Sequence, residues 1–311
     1  ERLAAAVEPT LLETNRVGLV SAAVSDHPQV ATLCETLTEM GASLSFSSLR
    51  ADTIVPQIAS ALQASRHQAV AIAPEAGSER LRRVINKGLR EEHVLKAAAD
   101  LVDQGIPNLK LYSMVGLPTE TREDVAAIVS LVKRIKHEFL KSSRTRRAIG
   151  TLTVSVNSFV PKPFTPFQWA AMAGVADLKG KIRQIKAELG RVPNVRVHSD
   201  LPRWAYLQAL LARGDRRTAD ILLRVHASAG NWPQALKAVA VNPDFYALRE
   251  RSLDEVLPWD FIDHHVSKAF LQDEYRRALQ GRLGVVCRVE SCRLCGACGP
   301  DSGAPGSLQF A

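Results

Sequence analysis

The chain has 311 residues, of which 46% are hydrophobic, and a formal net charge of +8. That length is enough for one large domain plus an appendage and a sizeable core. No apolar run reaches the ~18 residues a membrane-spanning helix needs, so no membrane partner is expected.

Residues 1–15 read as the end of a helix, and Arg16 to Ala23 as a strand. An amphipathic helix from His27 to Met40 closes at Gly41 and leads to a strand at Ser43. A helix from about Ala51 to Ser65 precedes the strand at Ala69, which runs into Pro-Glu-Ala-Gly-Ser. Ser78 is placed to cap the next helix, which carries Leu81, Val84 and Ile85 on one side and stops at Gly88. A second helix, from about Glu91 to Gln104, ends at Gly105. The strand at Leu109 ends in Gly-Leu-Pro-Thr-Glu-Thr, and Thr121 with Asp124 three residues on forms a capping box for another helix. A strand at Thr151 enters a proline-rich stretch, FVPKPFTPF, suited to a rigid loop over a sheet end. Asn194 to Ser199 is a short late strand, Pro202 to about Gln280 is helical with a turn at Arg213 to Asp215, and the tail after Pro300 reads as disordered.

Four of the strand segments share one alternation. Leu44, Phe46, Val70, Ile72, Leu109, Leu111, Leu152, Val154 and Val156 fall on one face. Ser43, Ser45, Ser47, Ala71, Glu75, Lys110, Tyr112, Thr153, Ser155 and Asn157 fall on the other. Strands alternating with helices predict a parallel sheet with helices on its apolar face. A closed barrel would pack its inner face with Val, Ile and Leu. Here that face is small and polar, which predicts an open or wide barrel around a large polar ligand. The alternative is an antiparallel sheet with one solvated face.

Two charged or thiol-rich segments stand out. Lys133, Arg134, Lys136, Lys141, Arg144, Arg146 and Arg147 form a basic run with Glu138 as its one acid. It is either a solvated helix end and loop or a surface for RNA or another polyanion. Of five cysteines, Cys34 reads as a small core residue. Cys287, Cys292, Cys295 and Cys298 have the spacing C-x4-C-x2-C-x2-C, a set of soft ligands able to converge on one metal. Zinc and an iron–sulfur cluster both remain open, the spacing of the last three, followed by Gly299 and Pro300, being closer to ferredoxin-like ligation. The odd count and the crowding argue against a secreted disulfide framework and for a reducing, cytoplasmic setting.

Five segments in order carry a family resemblance: APEAGSERLRRVINKG (73–88), LKLYSMVGLPTETREDV (109–125), NSFVPKPFTPFQW (157–169), ARGDRR (212–217) and LPWDFIDHHVSKAFLQDEY (257–275). Together they resemble radical S-adenosylmethionine (SAM) proteins, and the branch that carries an N-terminal cobalamin-binding domain. The resemblance implies a partial (βα)6, TIM-barrel-like fold with a polar lumen, over about 1–200, followed by a helical C-terminal region at 201–280 and a Cys-rich metal-binding tail at 281–311. It also implies S-adenosylmethionine as a cofactor, a [4Fe–4S] cluster that cleaves it to a 5′-deoxyadenosyl radical, and cobalamin in the full-length protein. The family holds its cluster on C-x3-C-x2-C after the first strand, and these 311 residues contain no such motif. The resemblance starts at the family's second strand. The chain is therefore expected to be a fragment lacking the first strand and cluster loop, inactive alone, with the missing cobalamin- or cluster-bearing segment as partner and an unknown substrate.

Position by position, the resemblance assigns Glu75 to the ribose hydroxyls of S-adenosylmethionine and Lys87 to its methionine carboxylate. Tyr112 lies below the Gly-Leu-Pro turn. Ser48 and Arg50 end the third family strand on the ligand side. Asn157 and the backbone at Phe159 and Val160 fall where the family cradles adenine. The family's Gly-Gly-Glu turn is replaced by Ala22-Ala23-Val24-Ser25-Asp26, in which Asp26 is either a substitute carboxylate or an ordinary loop residue. His264 and His265 diverge on a helix and read as surface residues. Two further readings stand beside the enzyme: a basic RNA- or ribosome-binding module with a zinc knob, and a scaffold that pairs with a second polypeptide.

Overall fold

A computed structural model describes residues 2–21, 24–46, 49–143, 150–287 and 292–298. Ser48, Ala22, Ala23, Arg144, Arg146, Arg147 and the tail after Pro300, all singled out above, lie outside the described residues.

Six strands run in chain order: β1 (Arg16–Leu19), β2 (Ser43–Phe46), β3 (Ala69–Glu75), β4 (Asn108–Val115), β5 (Leu152–Ser158) and β6 (Val195–Ser199). Every recorded pairing is parallel. β1 pairs β2, β3 to β6 pair in sequence, and among the described residues a parallel bridge between Leu49 and Ile72 joins the two sheets. Parallel neighbours require crossovers, supplied by α2 (Val30–Glu39), α3 (Pro56–Ala64), α4 (Glu79–Val84) with α5 (Glu91–Asp103), α6 (Arg122–Ser143) and α7 (Val175–Leu189). α1 (Arg2–Val7) precedes β1. No described helix is long and apolar enough to cross a membrane.

The predicted alternation holds. Val70, Ile72, Leu109, Leu111, Leu152, Val154 and Val156 are buried beneath the helices, while Ala71, Tyr112, Thr153, Ser155 and Asn157 are only half-buried and Lys110 and Ser45 are exposed. The apolar face joins Leu101, Val129, Ile135, Phe139 and Ile185 in one core. Each fully buried aliphatic side chain contributes about 1.5–3 kcal/mol.

Several predicted elements are shorter than expected. The first strand stops at Leu19. The second helix begins at Val30. The helix expected over 51–65 is a 3-10 turn at Ala51–Thr53 followed by α3. Pro56 explains the break, because it holds Val55 extended (ψ 158°) and can itself start a helix but not sit inside one.

The C-terminal helices are α8 (Pro202–Arg213), α9 (Thr218–Ala227), α10 (Trp232–Ala238), α11 (Pro243–Ala247) and α12 (Lys268–Leu279), with 248–267 largely irregular. Ala205, Ala209 and Ala247 belong to the main core, so this region shares it with the sheet. The proline-rich loop lies between the two. Met172 N–H donates to Ala247 O at 3.1 Å and Arg251 N–H to Trp169 O at 2.8 Å. Trp259 Nε1 donates to Gln168 Oε1 at 2.7 Å. Trp169, Leu257, Trp259, Leu271 and Tyr275 form a second apolar cluster there.

Candidate ligand site at the strand ends

β3 does not run regularly into its turn. Its register against β4 shifts between Ile72 and Glu75, and Glu75 adopts a φ of 67°. A bulge re-aims a side chain at a strand end, and a left-handed non-glycine residue is strained by about 1–3 kcal/mol. The surrounding turn holds it there. Ser78 Oγ caps α4 by accepting from Leu81 N–H at 3.1 Å. Arg82, wholly buried, threads the middle of the turn. Its guanidinium donates to Ala76 O at 2.9 Å, Gly77 O at 3.1 Å and Leu89 O at 2.7 Å. α4 is thereby a short plug tied at both ends, with Glu75 at its entrance and Lys87 at its exit.

Across that plug Lys87 Nζ meets Glu75 Oε1 at 3.4 Å. Burial pushes the Lys87 ammonium down from its ordinary value, and the Glu75 carboxylate opposes the shift. Arg50 and Asp52 share the same field. Arg50 clasps Asp52 at 2.8 and 3.2 Å and lies 3.6 Å from Asp26. The hydrogen bond it donates to Asp52 raises the Arg50 guanidinium. Burial pushes the Asp52 carboxyl up, but the bond and charge of Arg50 outweigh it and the carboxyl stays below its usual range. Two cations and three carboxylates thus surround the C-terminal ends of β2 and β3. The set can offer acceptors to hydroxyls and a cation to a carboxylate.

Tyr112 and Asn157 stand on the same open face, one and two strands along, with the Lys110 ammonium 4.8 Å from the Tyr112 ring centroid. Phe159 N–H donates to Val115 O at 2.9 Å, so this amide of the expected adenine cradle is spent on β4.

Sequence reasoning brought Glu75, Lys87 and Arg50 forward and left Asp26 undecided, and the structure joins all four. It missed Asp52 and Arg82. Asp52, two residues past Arg50, is visible only as an exposed loop acid, and a helical arginine ordinarily reads as solvated. It also missed Glu120. That side chain receives Gly116 N–H on both oxygens at 3.0 Å and pairs with Lys181 at 2.8 Å, locking the Gly-Leu-Pro turn. The capping box is present, Thr121 N–H donating to Asp124 Oδ2 at 2.9 Å. Asp124 also receives Ser78 and Arg80, which ties α6 to α4.

The described part of the basic run is not one free face. Arg134 pairs with Glu91 at 2.6 Å, and Lys136 is buried with its ammonium 5.0 Å from the Phe139 ring centroid. Cys34 is fully buried in α2, its thiol pushed up to about 11 by burial and by Glu35, as an inert core cysteine would be. His265 is exposed, whereas the His264 ring lies 4.4 Å from that of Phe164. The four C-terminal cysteines are free thiols. No three metal-ligating side chains among the described residues already form a cage.

Residues 5–132 match the Radical SAM superfamily. Over those residues, less than half of the chain, it is similar to radical SAM proteins. A radical SAM assignment agrees with the parallel arc and with the polar group at its strand ends. The chain is 36% identical over 212 residues to the uncharacterized protein MJ0966 of Methanocaldococcus jannaschii, covering 68% of this chain and 44% of that protein. It is 30% identical over 87 residues to a tRNA-2-methylthio-N(6)-dimethylallyladenosine synthase of Desulforamulus reducens, covering 27% of this chain and 18% of the synthase. Against the crystal structure of Streptococcus suis SuiB the TM-score is 0.42 at 14% identity, covering 63% of this chain and 43% of that one. The chain therefore spans less than half the length of these curated relatives.

Proposed function

We propose that this chain supplies the nucleoside- and substrate-binding part of a cytoplasmic radical SAM enzyme. The observation that carries the reading is the strained Glu75, held at the open end of β3 opposite Lys87 and beside Arg50. In this reading the Glu75 carboxylate accepts from the ribose hydroxyls of S-adenosylmethionine and Lys87 meets its carboxylate. Arg50, fixed by Asp52 and Asp26, faces the sugar or the substrate. Tyr112 and Asn157 line the same face toward the base. Strain stored at Glu75 pre-orients it, so ligand binding need not order the turn. The radical-generating cluster is supplied by a segment that carries the C-x3-C-x2-C motif absent from these residues, with cobalamin in the full-length protein. The isolated chain is accordingly inactive. A metal at Cys287, Cys292, Cys295 and Cys298 belongs to the same reading.

Calorimetric titration with S-adenosylhomocysteine tests the nucleoside site without any cluster. Binding to the wild type, weakened about tenfold in Glu75→Gln and again in Lys87→Met, is the expected outcome, each loss being about 1.4 kcal/mol. Equal affinities for the wild type and Glu75→Gln, or no binding to the wild type at millimolar ligand, would remove the assignment.

An RNA substrate is the second reading. The partial similarity to a tRNA-modifying synthase and the net charge of +8 favour it. Retention of total RNA on nitrocellulose, lost on changing Arg144, Arg146 and Arg147 to Ala, is its expected signature, and unchanged retention would discard it.

A further inference from the structure

The register of the sheet fixes which side chains stand side by side on its open face. Lys110 of β4 is aligned with Thr153 of β5, and Thr153 with Arg196 of β6. Two residues further along, Tyr112, Ser155 and His198 are aligned in the same way. Residues two apart on a strand share a face, so these side chains stand as two rows of three. Val195 and Val197 turn to the core, and Arg196 and His198 therefore point away from it. Beside Lys110, β3 contributes only Ala71, which leaves the neighbouring space open. Met114, one row up and paired with Asn157, packs against the cluster of Leu81, Val84 and Phe159 and bounds the polar rows on that side.

These side chains are largely unspent. Lys110 and Arg196 have no ion-pair partner among the described residues, whereas Arg50, Lys87, Arg134 and Lys181 each meet a carboxylate. The Lys110 ammonium instead leans 4.8 Å from the Tyr112 ring centroid, toward the second row. Tyr112, Thr153 and Ser155 are half-buried, yet among the described residues none of their hydroxyls has a hydrogen-bond partner. Polar groups held away from bulk water ordinarily find one. The two rows also contain no carboxylate. The acids near the strand ends, Glu75, Asp52 and Asp26, stand at β2 and β3.

A surface of cations and free hydroxyls with no acid suits a ligand that is anionic and rich in acceptors. Neighbouring strands lie about 4.8 Å apart, so Lys110 and Arg196 flank Thr153 closely enough for both long side chains to close on one oxyanion above it. A guanidinium fork takes two oxygens of such a group in parallel. A carboxylate is then used up, whereas a phosphate keeps a further oxygen for the Lys110 ammonium and the hydroxyls.

We propose that Lys110 and Arg196, with the hydroxyls of Thr153 and Ser155 between them, bind a phosphate group of the substrate on the open face of β4, β5 and β6. The inference rests on the proposed function for calling the ligand a substrate, but not for the existence of the phosphate site. Ser113, the β4 partner of Glu75, is three residues beyond Lys110, which is about 10 Å along the strand. A phosphate held at Lys110 therefore leaves the Glu75 end of the sheet to a nucleoside.

The test uses the full chain at constant ionic strength. Lysine acetylation is read residue by residue by mass spectrometry, with and without inorganic phosphate. Protection of Lys110 by phosphate, with Lys179 on the outer helix α7 unaffected, is the expected outcome. In Arg196→Gln the phosphate concentration for half-protection should rise about tenfold, the loss of one bidentate charge-assisted contact. In Lys133→Met it should not move. No protection of Lys110 in the wild type, equal protection of Lys110 and Lys179, or half-protection unchanged in Arg196→Gln would each overturn the proposal. Acetate protecting Lys110 as well as phosphate does would overturn the phosphate assignment. Ribose 5-phosphate and a short oligoribonucleotide without a terminal phosphate then separate the sources. Stronger protection by the first assigns the phosphate to a small substrate, and by the second to an RNA backbone; failure of both would overturn the substrate role. S-adenosylhomocysteine titration keeps the two readings apart. Phosphate protection of Lys110 with no nucleoside binding upholds the phosphate site and fails the proposed function, whereas nucleoside binding without phosphate protection does the reverse.

Discussion

Gly77 stands where α4's entry turn meets α6, and replacing it with alanine tests the whole description of how Glu75 is held. An ideal Cβ at position 77 would sit 2.1 Å from Ile128 N and 2.4 Å from Ala127 C. Both are backbone atoms in the middle of a helix, so no side chain can rotate away. To restore ordinary van der Waals contact the turn and α6 must separate by about 1 Å, which costs roughly 2–3 kcal/mol as overpacking. That corresponds to a fall in Tm of roughly 3–5 °C for a chain of this size. The separation also pulls at the bonds that Arg82 makes to Ala76 O and Gly77 O, one and two residues from Glu75, so nucleoside affinity should fall as well. Gly180→Ala is the matched control. It lies within α7, a Cβ there meets nothing within 4 Å, and the same change should stabilise by about 0.5–1 kcal/mol through helix propensity. Urea unfolding of the three proteins in parallel decides the matter. A Gly77→Ala protein within about 0.5 kcal/mol of the wild type would refute the close approach, and with it the account of why the turn is rigid.

Three other outcomes follow from the same contacts. In a double-mutant cycle, Glu75→Gln and Lys87→Met should show a coupling of about 1 kcal/mol in unfolding free energy, since both side chains are partly screened by solvent; additivity would mean the pair is not formed in solution. Burial raises the Asp124 carboxyl, yet bonds from Arg80, Ser78 and Thr121 outweigh it and hold the carboxyl below its ordinary value. The stability this contributes is complete above the unfolded pKa and is lost as pH falls through the lower folded one. The gap between wild type and Asp124→Asn should therefore be largest near neutrality and shrink below about pH 4; a gap independent of pH would contradict this. Burial without a hydrogen-bond partner pushes the Lys136 ammonium down. The folded state then holds its proton less tightly than the unfolded state, so stability rises as pH climbs toward the unfolded value. Lys136→Met should stabilise by about 1 kcal/mol at pH 7, with the gain shrinking toward pH 10; a destabilised variant would show that the Phe139 contact matters more than the desolvation.

The amino-acid sequence by itself determined the parallel arc, its apolar and polar faces, the capping of α4 and α6 and the family resemblance. All of these rest on local periodicity, on end signals such as Ser78 and Thr121 with Asp124, or on short motifs, and such signals need no knowledge of distant contacts. It also brought Glu75, Lys87 and Arg50 forward, because each sits within or beside a strand-end segment. What only the tertiary structure decided depends on partners far apart in the chain. Arg82 looks like any helical arginine until the carbonyls of residues 76, 77 and 89 close around it. Lys136 belongs to a basic run in sequence, yet α6 turns it onto the core beside Phe139. The left-handed Glu75 comes from a shift of register between two strands, which no residue type in β3 announces. The Gly284–Asn86 bond joins residues 198 apart in the chain. A pattern of spacing carries information along a helix or strand; a contact of that separation exists only once the core has fixed where both segments lie.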